Sequence, residues 1–180
     1  LITSDDPDLM ARAIVLSGSY MLFGRHTARP PVDRFENVKL ETPNVSGRMD
    51  HLRAAILRVQ LADLGTQVDR WNALYRTVET GLRNVPGLQI VERDPRERIV
   101  GSSIQVLLPG WDETRIRQLM ANCAARGVEL KWFGAAEPVA FTSRYDSWRY
   151  APEQSLPKTD AILAGLIDMR LPLTFSTEDA

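Results

Sequence analysis

Cysteine, histidine and lysine are all scarce in this 180-residue chain, and each scarcity narrows what it can do. One cysteine, Cys123, cannot form an internal disulfide, which points to a reducing, cytoplasmic setting. Its alanine-rich, helix-like surroundings suit packing better than catalysis. His26 and His51 are the only histidines, and with no cysteine pair and no HExxH they form no zinc pattern, so no metal is expected. Nucleotide-phosphate loops of the G-x-x-x-x-G-K-[ST] and strand-G-x-G-x-x-G types are missing as well. No apolar run approaches the roughly 20 residues that cross a bilayer, so no membrane partner is expected. The start carries no basic-then-apolar secretory segment. A net charge of −1 gives no reason to expect a nucleic-acid partner. What is present is the composition of an ordinary globular chain, 44% hydrophobic and 25% charged, which excludes a wholly disordered or fibrous one.

Leu1-Ile2-Thr3 reads as the tail of a strand that turns at Ser4-Asp5-Asp6-Pro7 into a first helix. The chain is therefore expected to be a fragment, beginning in mid-fold and leaving apolar surface exposed on that helix. Ser4 or Asp5 is the expected cap, Pro7 stands near the first helical position, and Leu9, Ala13, Ile14 and Leu16 supply an apolar side ending at Gly18. Residues 18–45 show no period and are expected to form a long loop, which in a compact protein usually serves an interface or an active site. From Ser46 to about Asn84 there is no proline, and Met49, Leu52, Ile56, Val59, Leu64, Val68, Trp71, Leu74, Val78 and Leu82 recur at helical steps. Unbroken, that helix would run roughly 55 Å at 1.5 Å per residue, enough to link two domains, and Gly65 marks a place for a bend.

After Pro86-Gly87 the pattern shortens. Leu88–Val91 and Ser102–Leu108 read as strands, the second with Ile104, Val106 and Leu108 on one side. A helix opening at Asp112 or Thr114 and closing at Gly127 precedes a strand over Val128–Phe133. Strand, strand, helix, strand makes a small α+β unit. Residues 134–155 form an aromatic-rich loop, and a last helix runs from Leu156-Pro157 to Leu171-Pro172-Leu173.

Two places carry potential chemistry. At Asn44-Val45-Ser46-Gly47-Arg48, where the long helix begins, free N–H groups, the Ser46 hydroxyl and the Arg48 guanidinium suit a phosphate. The same residues equally suit an ordinary N-cap and a solvated arginine. The second place is Trp132-Phe133 with the loop through Phe141, Arg144, Tyr145, Trp148, Arg149 and Tyr150. Mixed aromatic and arginine side chains suit a sugar ring or a phosphate, and equally a hydrophobic cluster that pins a loop.

Gly47-Arg48-Met49-Asp50-His51-Leu52-Arg53-Ala54-Ala55-Ile56, continuing to Val59-Gln60-Leu61 and Leu64, resembles the "N-x-R-M-x-x-L-x-A-A-I…Q-L…L" signature of the DegT/DnrJ/EryC1/StrS sugar aminotransferases. Arg70, Tyr75 and Leu82 are similar to that family's long-helix rhythm. Leu156-Pro157-Lys158-Thr159-Asp160, Leu171-Pro172-Leu173 and Ser176-Thr177-Glu178-Asp179 resemble its closing pattern.

The resemblance implies an α/β, fold-type-I, pyridoxal-phosphate-dependent transferase of which this chain is part. Residues 1–45 would be the end of the large domain, 46–85 a bridging helix and 86–180 a small α+β domain. It implies a homodimer in which pyridoxal phosphate sits covalently on a lysine, and an amino group passes from glutamate or glutamine to a nucleotide-linked keto-sugar or a cyclitol. It places Asn44, Ser46 and Arg48 near the phosphate of the neighbouring subunit's cofactor. The family's asparagine position holds Ser46 here, with Asn44 two residues earlier. It places Trp132, Phe133, Arg144, Tyr145 and Trp148 toward the substrate, although the family's usual histidine-tyrosine pair is not evident in that loop. Lys39, Lys131 and Lys158 are the only lysines, and none stands in the family's lysine context. That context would precede Leu1, so the chain alone is expected to be inactive. Two alternatives stay open: a sugar 3-dehydratase of the same family with histidine in place of the lysine, and a non-catalytic dimerisation or interaction domain.

Overall fold

The computed structural model describes residues 2–18, 22–43, 49–136 and 144–179. The chain divides into two compact units that do not follow chain order. Residues 1–51 and 136–155 form the first, and residues 52–135 and 156–180 the second.

The first unit is helical. Helix α1, Pro7–Leu16, is capped by Asp6 rather than Ser4 or Asp5, because only the Asp6 carboxylate reaches the N–H groups of Asp8 and Leu9, at 2.9 and 3.2 Å. Ser4 serves one step earlier, its Oγ accepting from the Asp6 amide. The helix ends at Ser17, and Gly18 follows with φ of 96°, the left-handed conformation that suits glycine past a helix end. The buried face is Ala11, Ile14 and Val15, whereas Leu9 and Leu16 point to solvent. Ile2 and Thr3, read as a strand tail, pair with no strand among the described residues.

The span 18–45 is not one long loop. It holds single turns of 3-10 helix at Phe23–Arg25 and Val32–Arg34, and then helix α2, Phe35–Glu41. Phe35 is fully buried against Ala11, Ile14 and Val15 and stacks on Phe23 with centroids 4.6 Å apart. That contact rescues a stretch whose sequence has no helical period of its own.

The expected long helix is two. Helix α3, His51–Leu61, and helix α4, Leu64–Arg83, are separated by a turn at Ala62-Asp63. The α4 half keeps its stripe inward, with Val68, Leu74 and Tyr75 buried. Every residue of α3 is exposed, including Leu52, Ile56 and Val59 on one face. Exposed apolar surface therefore gathers on α3 more than on the first helix.

In the second unit, β1 (Gln89–Ile90), β2 (Ser103–Leu107), β3 (Leu130–Trp132) and β4 (Leu166–Arg170) form one antiparallel-paired sheet in the order β1-β2-β4-β3. Helix α5, Glu113–Ala124, capped by the Asp112 carboxylate on the Arg115 amide, joins β2 to β3, and β4 inserts between them. This is a split β-α-β arrangement. The register places Ile104, Val106, Ile167, Met169, Leu130 and Trp132 on one face. That face, with Leu74 and Tyr75 of α4 and Ile116 of α5, is the core.

The final helix is shorter than its sequence pattern. Helix α6, Pro157–Leu163, ends before Gly165, and Leu166–Arg170 becomes the central strand β4. At Gly165 the backbone closes on Leu108: the Leu108 amide donates to Gly165 O at 2.9 Å, and a Cβ there would lie 2.9 Å from Leu108 O. Leu171 and Leu173 then pin the tail to α4, their carbonyls accepting from Trp71 Nε1 (3.0 Å) and Arg70 Nη2 (3.2 Å).

Candidate functional site

Asn44, Ser46 and Arg48, the residues read as a phosphate contact, lie outside the described residues, as does Phe141. The remaining site residues fall into the two units.

In the first unit, Arg144, Tyr145 and Trp148 come together on and beside the single 3-10 turn Tyr145–Ser147. Arg144 grips Asp146 through a two-point guanidinium–carboxylate pair, with Nε donating to Oδ1 at 2.8 Å and Nη2 donating to Oδ2. The guanidinium holds the Asp146 carboxyl below the usual aspartate range, chiefly through that side-chain hydrogen bond. Ser147 Oγ closes the turn by donating to Arg144 O at 2.7 Å. Trp148 and Tyr150 stack nearly parallel, with centroids 5.8 Å apart. Burial pushes the Tyr150 hydroxyl above its ordinary value.

Arg149 anchors the turn to α2. Its amide donates to Leu40 O (3.0 Å), its Nη1 to Asn37 Oδ1 (2.9 Å), and its guanidinium faces Glu41 at 3.9 Å. The arrangement is a stacked aromatic pair beside guanidiniums already engaged by Asp146 and Asn37, and its rings are suited to stacking on a further ring. The sequence reading missed Asp146 and Asn37 as partners. The Arg-x-Asp spacing at 144–146 was a usable signal for the first. Asn37 had none, since its partner Arg149 lies 112 positions away.

In the second unit, Trp132 ends strand β3. Its ring is only 4% exposed and lies in the core, and its Nε1 donates to Ala164 O at 2.9 Å. Position 132 alternates inward on β3, so pairing with Ile167 commits the ring to packing rather than to an open site. Gly134 enforces the fit, because a Cβ there would meet Trp132 Nε1 at 2.7 Å and Ala164 Cα at 2.8 Å. Phe133, one residue on, is half-buried, with Lys131 Nζ 4.7 Å from its ring centroid.

Among the described residues, no three of histidine, cysteine, aspartate and glutamate gather so as to hold a metal ion. No described helix is long and apolar enough to cross a membrane.

A split β-α-β sheet beside a long helix, joined to a helical unit that carries an arginine-aromatic turn, is the architecture of part of a fold-type-I pyridoxal-phosphate-dependent transferase. Residues 1–180 match the model of the DegT/DnrJ/EryC1/StrS aminotransferase family, and the chain belongs to that family. A dTDP-3-amino-3,4,6-trideoxy-alpha-D-glucose transaminase of Streptomyces venezuelae is 27% identical over 129 residues, which is 72% of this chain and 32% of that protein. The structure of S. venezuelae DesV superposes with a TM-score of 0.57 at 21% identity, covering 98% of this chain and 42% of DesV. The aminotransferase TlmJ from Streptoalloteichus hindustanus gives 0.55 at 21% identity, covering 97% of this chain and 42% of TlmJ. At these identities the structural likeness is one of fold. The chain spans about a third of the length of the curated relative it matches.

Proposed function

We propose that this chain is the C-terminal part of a pyridoxal-phosphate-dependent aminotransferase that moves an amino group from glutamate or glutamine to a nucleotide-linked keto-sugar or a cyclitol. The observation that carries the reading is the family match over residues 1–180. In this reading, residues 1–45 end the large domain, 46–85 bridge the domains, and 86–180 form the small domain of a homodimer. The lysine that holds the cofactor lies outside this chain, and the chain alone is inactive.

Asn44, Ser46 and Arg48 supply an amide, a hydroxyl and a guanidinium, all hydrogen-bond donors, which is the chemistry a phosphate dianion asks for. They would meet the phosphate of the partner subunit's cofactor, orienting it without taking part in the chemistry. The cofactor, when bound, supplies the electron sink for amino transfer. Phe133, Arg144, Tyr145 and Trp148 would face the substrate, the aromatic rings stacking on a flat or cyclic group.

The test uses a polypeptide that contains this chain together with the large domain. Purified with pyridoxal phosphate, it should form 2-oxoglutarate from glutamate beyond one equivalent per cofactor only when a nucleotide-linked keto-sugar or a keto-cyclitol is supplied. Arg48→Ala should weaken cofactor binding by about 10- to 100-fold, the loss of one charge-assisted bond. A polypeptide that binds no pyridoxal phosphate, or binds it indifferently to Arg48→Ala, would overturn the assignment of the phosphate contact.

A further inference from the structure

Arg144 and Arg149 flank the aromatic turn of the first unit, and they are held in different ways. Arg144 pairs with Asp146 inside the turn, a contact that stiffens the turn but by itself fixes it to nothing else. Arg149 reaches another element. Asn37, Leu40 and Glu41 stand at i, i+3 and i+4 of α2 and share one side of that helix, while Phe35 and Val38 are buried against α1. Arg149 Nη1 donates to Asn37 Oδ1 at 2.9 Å, and the Arg149 amide donates to Leu40 O at 3.0 Å. Leu40 O is one of the last four carbonyls of α2, which have no partner inside the helix, so the turn satisfies a group that the helix leaves open. The guanidinium also stands at the negative end of the helix dipole. The Glu41 pair, at 3.9 Å and half-exposed, adds little.

The neighbours of Arg149 on either side are the stacked rings. Trp148 is extended, with φ of −76° and ψ of 119°, and in extended backbone adjacent side chains leave in different directions. The rings of Trp148 and Tyr150 gather together, 5.8 Å apart, and the residue between them goes to α2. Helix α2 is itself fixed by Phe35, which is fully buried in the core of the first unit.

We propose that Arg149 is a positioning residue: its docking on α2 sets the direction in which Trp148, with Tyr150 stacked on it, presents its ring to the keto substrate. The role rests on the reading that Trp148 faces the substrate, and it gives Arg149 no contact with the substrate itself.

The protein to test is the polypeptide that joins this chain to the large domain, loaded with pyridoxal phosphate. Glutamate alone should yield one equivalent of 2-oxoglutarate per cofactor, and turnover beyond it needs the nucleotide-linked keto-sugar or keto-cyclitol. Arg149→Ala should leave the first equivalent within about twofold of wild type and raise KM for the keto substrate about 5- to 10-fold with kcat little changed. Asn37→Ala should raise that KM about threefold, and adding it to Arg149→Ala should raise it no further, since the two variants remove the same bond. Asn37→Asp keeps an acceptor for Arg149 and should return KM to the wild-type value, a rescue that a general loss of structure would not show. The Asn37 variants carry the comparison should Arg149→Ala not fold. KM unchanged in Arg149→Ala and Asn37→Ala alike, or a rise matched by an equal loss of the first equivalent, would overturn the role. A wild-type polypeptide that turns over no keto substrate would overturn the substrate reading, and the role with it.

Discussion

Gly101 sits where the loop after β1 returns to α4, and its amide donates to Asn72 Oδ1 at 2.8 Å. Asn72 uses its other end as well, Nδ2 donating to Ile99 O at 3.0 Å, so one side chain brackets three residues of loop. The approach this requires leaves no space for a methyl group: a Cβ on Gly101 would lie 2.5 Å from Tyr75 Cβ and 2.9 Å from Tyr75 Cγ. Tyr75 is buried in the core and cannot swing aside. Gly101→Ala should therefore lower stability by about 1–3 kcal/mol, the usual penalty for overpacking, read as a fall in the urea midpoint. An unchanged midpoint would mean that the loop is not held against α4 in solution. The substrate-side residues show the same dependence on distant partners. Arg144 and Asp146 are legible as a pair two residues apart, but Arg149 finds Asn37 and Leu40 only because the loop docks on α2.

At the scale of elements, the break between α3 and α4 shows where periodicity misleads. The apolar steps continue across it, so nothing in the stripe marks a stop. The backbone marks it instead: the amides of Ala62 and Asp63 donate three residues back, to Val59 O and Gln60 O at 3.2 and 3.1 Å, tightening the last turn of α3. Asp63 then starts α4, with Gln67 Nε2 on its carboxylate at 2.7 Å. Gly65 lies inside α4, two residues past the break, with nothing within 4 Å of where a Cβ would stand. Gly65→Ala should stabilise the chain by about 0.5–1 kcal/mol by lowering the entropy of the unfolded state without a clash. A loss of stability in thermal unfolding would show that the glycine is needed for the turn. Strand β4 was misread for a related reason. Leu166–Arg170 has Ile167 and Met169 two residues apart, but it follows α6 so closely that its leucine and isoleucine extend the helical pattern. Only pairing with β2 and β3 on both sides makes it a strand.

At the scale of the whole molecule, the apolar side chains of α3 have no core to enter. Leu52 is 72% and Val59 75% exposed, with Ile56 between them on the same face. A stripe of that kind on a fully exposed helix suits a surface that is covered in the assembled protein. In the homodimer proposed above, α3 would be part of the interface. Sedimentation velocity should then show a concentration-dependent dimer of the chain, and Ile56→Glu should return it to a monomer without loss of helix content. If the wild-type chain is monomeric at high concentration, or Ile56→Glu leaves the dimer intact, α3 is not that surface.

By itself the sequence determined the family, the inward faces of α4 and β2, and the glycine at the end of α1. Each of these rests on residues within a few positions of one another, where hydrogen bonding, period and φ leave few choices. Tertiary structure alone decided that Phe35 anchors α2, that Trp132 belongs to the core, and that β4 fills the centre of the sheet. It also drew 136–155 to the first unit. Those outcomes depend on contacts between residues tens of positions apart. Their burial and pairing energies outweigh local propensity, and a pattern read along the chain does not contain them.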